Sequence, residues 1–204
     1  MIMKVGIFGG TFNPIHKGHT EAAYAFLRCA EPDKLLVIPT KIPPHKAITA
    51  DDDPEIRLEM TARAFAENEE YKGRIEVSDI EIRSEGKSYT YYTLQKLRSM
   101  GYDDIYLYCG TDMLLTFDRW FRFEDILSMC TLAYASRLER ACPEASEKIE
   151  MLRRRYSARI LEIPIDPIEI SSSEIREMIR KGEDASAFLS PAVLDFISER
   201  GLYR

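Results

Sequence analysis

The run Gly9-Gly10-Thr11-Phe12-Asn13-Pro14-Ile15-His16-Lys17-Gly18-His19 follows a short apolar segment and leads into a helical pattern. Glycine adopts backbone conformations closed to other residues and lets the main chain approach a ligand closely. The amides of such a turn and the N-terminus of the following helix together make a site for an anion. His16 and His19 stand three residues apart across the turn into that helix, so both can point at one phosphate. A glycine turn with two capping histidines is the plain structural alternative; two imidazoles in one loop favour the phosphate.

The chain has only three histidines, and the third, His45, lies in Lys41-Ile42-Pro43-Pro44-His45-Lys46. Two prolines stiffen this loop, and Lys41, His45 and Lys46 make it positive. Taken alone it reads as solvated surface. Its place after the next strand points to an anionic ligand shared with the first loop. In Ile170-Ser171-Ser172-Ser173-Glu174-Ile175-Arg176, Ser172 or Ser173 with the following glutamate fits a helix cap. The same hydroxyls, the orphan amides and Arg176 also suit the β- and γ-phosphates of a triphosphate. Gly110-Thr111-Asp112 places a carboxylate at a strand end, where it can meet ribose hydroxyls. A helix cap at Thr111 or Asp112 explains it equally well. Trp120, the only tryptophan, is either a packed aromatic or a wall on which a planar ring stacks.

The elements that must hold these residues alternate. Strands are expected at Lys4–Phe8, Lys34–Pro39, Ile105–Cys109, Leu132–Ala135 and Arg159–Ile163, and a kinked extended segment at Ile75–Arg83. Helices are expected at Gly18–Ala30, Pro54–Ala66, Thr90–Met100, Glu144–Arg155, Ser172–Lys181 and Pro191–Glu199. Asp51–Asp53 should cap the second of these and Gly182 should end the fifth. Alternating short strands and helices imply βαβ units, and right-handed crossovers then give a doubly wound parallel α/β sheet with helices on both faces. Ligands in such sheets sit outside the carboxyl ends of the strands, where the candidate loops fall.

At 204 residues, 45% hydrophobic and 30% charged, the chain suits one domain spanning 1–204, with a small helical portion at about 171–204. A net charge of -6 argues against nonspecific nucleic-acid binding. It leaves room for basic residues gathered around a small anion. No stretch is long and apolar enough to span a bilayer, and the opening residues do not make a signal peptide. Cys29, Cys109, Cys130 and Cys142 form no C-x-x-C pair. Cys29, Cys109 and Cys130 lie in apolar segments and read as buried thiols in a reducing compartment. The expectation is a soluble, cytoplasmic protein with no membrane or nucleic-acid partner; monomer and homo-oligomer both stay open. Walker-type G-x-x-x-x-G-K-[ST], dinucleotide-type G-x-G-x-x-G and nucleophile-elbow motifs are absent from the sequence.

The run through His16-Lys17-Gly18-His19, together with Ile170–Arg176, resembles the paired signatures of the HxGH nucleotidyltransferase superfamily. Pro43-Pro44-His45-Lys46, Ser88-Tyr89-Thr90 with Thr93-Leu94, and the closing Ser190-Pro191 and Gly201-Leu202-Tyr203 narrow the resemblance to nicotinate-nucleotide adenylyltransferase. It covers nearly the whole chain. It implies a Rossmann-like fold and a Mg²⁺-dependent transfer of AMP from ATP to nicotinate mononucleotide, with Mg²⁺ carried mainly by the ATP phosphates. By resemblance, His16, His19, Lys46 and Arg176 face the polyphosphate and carry the chemistry. Gly9, Gly10, Thr11, Phe12, Gly18, Gly110, Asp112, Ile170, Ser171, Ser172 and Ser173 bind ATP. Asn13, His45, Thr90 and Trp120 hold the nicotinate nucleotide, the indole stacking on the pyridine ring. Three positions depart from the pattern. Ser173 replaces a more usual threonine, Phe121 replaces a frequent tyrosine, and Arg137 is followed by Leu138-Glu139 rather than Pro-Gly.

The acceptor's phosphate is already anionic at neutral pH and needs no general base. Alignment and charge neutralisation are what the site must supply. Nicotinamide mononucleotide as acceptor is the nearest alternative, followed by a noncatalytic nucleotide sensor. A zinc site at His16, His19 and His45 lacks an accompanying Cys or carboxylate at ligand spacing.

Overall fold

The computed structural model describes residues 2–43, 53–137, 142–165 and 168–204. Six strands, β1 (Lys4–Gly10), β2 (Lys34–Pro39), β3 (Ile75–Val77), β4 (Asp104–Cys109), β5 (Thr131–Arg137) and β6 (Ile160–Ile165), form one sheet. β1 and β2 are continuous apolar runs buried on both faces, the signature of strands in a parallel sheet. The strand order β3-β2-β1-β4-β5-β6 runs outward from β1 in both directions, the doubly wound Rossmann-like α/β topology that the alternation predicts. Parallel register joins Lys4 to Asp104, Tyr106 to Thr131 and Leu132 to Ile160.

Two compact units divide the chain, each assembled from separate stretches. One comprises Met1–Phe8, Ala22–Leu36 and Tyr89–Asp166; the other comprises Gly9–Glu21, Val37–Ser88 and Pro167–Arg204. The two share α1 (Lys17–Ala30). α2 (Pro54–Ala66) lies in the second unit, and α3 (Thr90–Ser99), α4 (Thr111–Leu115), α5 (Phe123–Met129) and α6 (Pro143–Tyr156) lie in the first. There α3 packs on α5, and α4 on α6 and β5. The second unit also holds α7 (Ser172–Arg180) and α8 (Pro191–Arg200). α2 begins with a proline, and Asp53 accepts the Glu55 amide at 2.8 Å, as the sequence predicts. Its apolar face packs on α8, where the Arg63 guanidinium covers the buried Phe196 ring at 4.6 Å.

The structure changes three expectations. Extended backbone covers only Ile75–Val77; Ile80–Arg83 is a turn in which the Asp79 carbonyl accepts the Arg83 amide at 2.9 Å. Ion pairs from Arg83 to Asp79 and Glu55 accompany it, while Ile80 and Ile82 stay buried, so alternating burial arises here without a strand. The short helices α4 and α5 were not expected, because neither is long enough to show a clear period. Cys29 is exposed, since α1 buries Phe26, Leu27 and Ala30 and turns residue 29 outward. Cys109 and Cys130 are buried as expected; burial raises both thiols, Cys130 to about 12. Among the described residues, no helix is long and apolar enough to cross a membrane.

Candidate active site

In the second unit β1 ends at Gly9-Gly10, and the chain crosses Thr11–His16 to enter α1. Phe12 has a φ of 51°, and its ring, only 1% exposed, folds back over Gly10. A Cβ on Gly10 would lie 2.5 Å from Phe12 Cε1, so close ring approach demands this glycine. Gly18 serves His16 in the same way: a Cβ there would stand 3.0 Å from His16 Nδ1. The two flanking glycines thus shape the loop around two ring side chains.

His16 caps the start of α1, its carbonyl accepting the His19 amide at 2.8 Å. The His16 backbone N–H donates to His19 Nδ1 at 3.3 Å. An imidazole that accepts at Nδ1 carries its proton on Nε2, which leaves Nε2 as the donor end of His19. The two rings lie 3.7 Å apart, and Phe12 meets His19 edge-on at 5.2 Å. His16 is 8% exposed, and its buried Nδ1 has no hydrogen-bond partner among the described residues. Burial lowers its pKa to about 4, so at neutral pH it is an uncharged ring packed against its neighbour.

A pH dependence follows from this burial. The unfolded chain protonates His16 near 6.5, whereas the folded chain resists until about 4. As pH falls through that window the unfolded state takes up the proton first, and stability drops by about 3 kcal/mol. His16→Gln removes this group. The stability difference between wild type and variant, from urea denaturation at pH 7 and pH 4, should shift by about that amount. A difference that does not change with pH would show that His16 titrates normally.

α7 braces the loop from the far end of the sequence. Ser172 Oγ donates to the Pro14 carbonyl at 2.9 Å. Arg176 donates to the Asn13 carbonyl at 2.6 Å and to Ser173 Oγ at 3.1 Å. The cap is Ser171, not Ser172 or Ser173: its Oγ accepts the Glu174 amide at 3.2 Å, and Glu174 returns to the Ser171 amide at 2.8 Å. Ser172 is thereby released to hold Pro14. The Asn13 side chain accepts from the Tyr203 hydroxyl at 2.6 Å. Lys17, inside the histidine motif, turns away and donates to the Ser186 and Ala187 carbonyls at 3.1 Å. Ile170 is half-buried and precedes this cap.

Arg57 and Ser88 hold the next loop. The Ser88 hydroxyl accepts the Lys41 and Ile42 amides at 3.1 and 3.4 Å, and Lys41 Nζ donates to the Ser84 carbonyl at 2.7 Å. Arg57, on the buried face of α2, donates to the Thr11 and Lys41 carbonyls at 2.8 and 3.2 Å. The sequence did carry a signal for Arg57: a charged residue in register with the apolar positions Met60, Ala64 and Phe65. His45, Lys46 and the side chain of Arg137 lie outside the described residues.

In the first unit, Gly110 itself is the N-cap residue of α4, which leaves Asp112 exposed in the first turn; neither Thr111 nor Asp112 makes the cap. Thr90 opens α3. Half-buried Trp120 stacks on the buried Phe117 ring at 5.0 Å and 29°. Phe121 is exposed and packs on Tyr89 at 4.9 Å. Among the described residues, no cluster of three or more His, Cys, Asp or Glu is arranged to hold a metal ion.

The cytidylyltransferase-like family model matches residues 7–178. A Clostridium tetani protein named "probable nicotinate-nucleotide adenylyltransferase" is 34% identical over 98% of this chain and 99% of its own. A Caldicellulosiruptor saccharolyticus protein of the same name is 36% identical over 99% of this chain and 100% of its own. Among solved structures, a Plasmodium falciparum nicotinic acid mononucleotide adenylyltransferase complexed with NaAD shares the fold. Its TM-score is 0.78 at 21% identity, covering 98% of this chain and 97% of that one.

Proposed function

The chain belongs to the cytidylyltransferase-like family and, within it, to the nicotinate-nucleotide adenylyltransferases, and we infer that it transfers AMP from ATP to nicotinate mononucleotide in NAD biosynthesis. The products are nicotinate adenine dinucleotide and pyrophosphate. The observation that carries this reading is the closely packed pair His16–His19 at the start of α1, with α7 bonded to the same loop.

An oxygen of the acceptor's 5′-phosphate attacks the α-phosphorus of ATP. The new P–O bond forms as the bond from that phosphorus to the α,β-bridging oxygen breaks, and pyrophosphate leaves with the electron pair. In this reading His19 Nε2–H donates to the α-phosphoryl oxygens as charge builds there. Neutral His16 keeps the His19 ring at its packing distance without like-charge repulsion. Arg176, Ser173 and the α7 amides face the β- and γ-phosphates, with Lys46 and His45 in the neighbouring loop. Gly110 and Asp112 face the adenosine, and Thr90 and Trp120 the nicotinate part. The donors around the histidine loop suit an anion, and the described residues offer no cluster of metal ligands. Mg²⁺ would be carried mainly by the ATP phosphate oxygens. When bound, it neutralises charge on the polyphosphate.

Pyrophosphate release from ATP and Mg²⁺ should be much faster with nicotinate mononucleotide than with nicotinamide mononucleotide. Equal rates would remove the acceptor assignment. ATP binding without release from either acceptor would leave a nucleotide sensor.

A further inference from the structure

We infer that Arg57 is a positioning residue for the transfer, holding the start of the histidine loop and the first residues after β2 in one fixed frame; this rests on the adenylyl-transfer reading. Arg57 is 1% exposed. Arginine is almost never buried so completely unless it is paired, and a buried charge costs several kcal/mol unless hydrogen bonds satisfy it. A methionine or leucine at this position of α2 would serve the core at less cost. What the guanidinium adds is a rigid planar fork that reaches two carbonyls outside its own helix, Thr11 at 2.8 Å and Lys41 at 3.2 Å.

Both carbonyls lie where the two loops leave the sheet. Thr11 sits between Gly10 and Phe12, the ring that meets His19 edge-on. The amides of Lys41 and Ile42 donate to Ser88 Oγ. A backbone bond from the Thr40 amide to the Gly10 carbonyl, 2.9 Å, already joins the loops at their base. Arg57 adds a second tie one residue further along each loop. Two ties a residue apart fix the angle between the chain segments Gly10–Thr11 and Thr40–Lys41 as they leave the sheet, which one tie cannot do. In-line transfer needs that angle, because the reacting groups must be aligned and not merely bound. Misplacement by about 1 Å can cost 10²-fold in rate. Arg57 touches neither substrate in this assignment and acts through the two carbonyls.

The test compares Arg57→Met and Arg57→Lys with wild type. kcat is expressed per site able to bind α,β-methylene-ATP, so that any unfolded fraction drops out. Arg57→Met should lose roughly 10- to 100-fold in kcat per site, while the KM of each substrate moves less than about threefold. Arg57→Lys keeps the charge but has no planar fork, and should fall between Arg57→Met and wild type. If Arg57→Met fails to fold, Arg57→Lys alone decides, and it should lose at least about threefold in kcat per site. A lower melting temperature with kcat per site unchanged would overturn the proposal and leave Arg57 a purely structural residue. Absence of pyrophosphate release from wild type would instead overturn the transfer reading and this proposal with it.

Discussion

His19→Ala should lower kcat by roughly 10²–10³, the scale of removing one preorganised donor from a developing oxyanion. The imidazole is held from several sides. Its Nδ1 accepts the His16 amide, its ring lies 3.7 Å from His16, and Phe12 packs against it edge-on. These contacts fix the tautomer and aim Nε2–H before substrate arrives, so little reorganisation remains for the chemical step. Removing the ring takes away its weak backbone bond and its packing on His16 and Phe12, so the rate is read per folded molecule, with urea denaturation of the variant alongside. The effect read in this way belongs to kcat rather than to stability. Single-turnover measurements with ATP and nicotinate mononucleotide read it directly. A loss below tenfold would remove His19 from the α-phosphoryl role, and His19→Gln should recover part of the rate by offering an amide N–H at similar reach.

Gly10→Ala is expected to damage stability and rate together. The new methyl would meet Phe12 Cε1 at 2.5 Å and Cζ at 2.7 Å, in a buried ring with nowhere to move. Overpacking of this kind costs about 1–3 kcal/mol. If Phe12 yields, its contact with His19 yields too, and kcat should fall by tenfold or more, since misplaced reacting groups are penalised steeply. Gly9→Ala is the matched control for the stability part. A Cβ there approaches nothing closer than the Ile38 carbonyl at 4.0 Å, so urea denaturation should show a change within about 0.5 kcal/mol. Equal destabilisation by both changes would mean that general loss of glycine flexibility, and not the Phe12 contact, sets the requirement at residue 10.

Much of this molecule is written in short-range chemistry. The apolar runs of β1 and β2, the proline and Asp53 at the start of α2, and the glycine turn with its histidine pair each depend on neighbours within a few residues. Local patterns therefore specify them, and the strand order follows from alternation and crossover handedness. The turn at Ile80–Arg83 shows where such reading fails. Alternating apolar residues look the same whether a ladder or a turn buries them, and here the backbone bond from the Arg83 amide to the Asp79 carbonyl marks a turn.

Local pattern was enough to specify the alternating sheet, the glycine-histidine loop and the residue types available for phosphoryl chemistry. Tertiary structure decided which of those residues also hold the loop. Ser172 reaches Pro14 across 158 residues and Arg176 reaches Asn13 across 163, while Lys17 is drawn off to carbonyls near residue 186. It also decided that His16 stays neutral and that Arg57 spans two loops. Burial and long-range hydrogen bonding are properties of the packed chain. A motif can name the donors, but their partners and charge states exist only once distant segments have excluded water from between them.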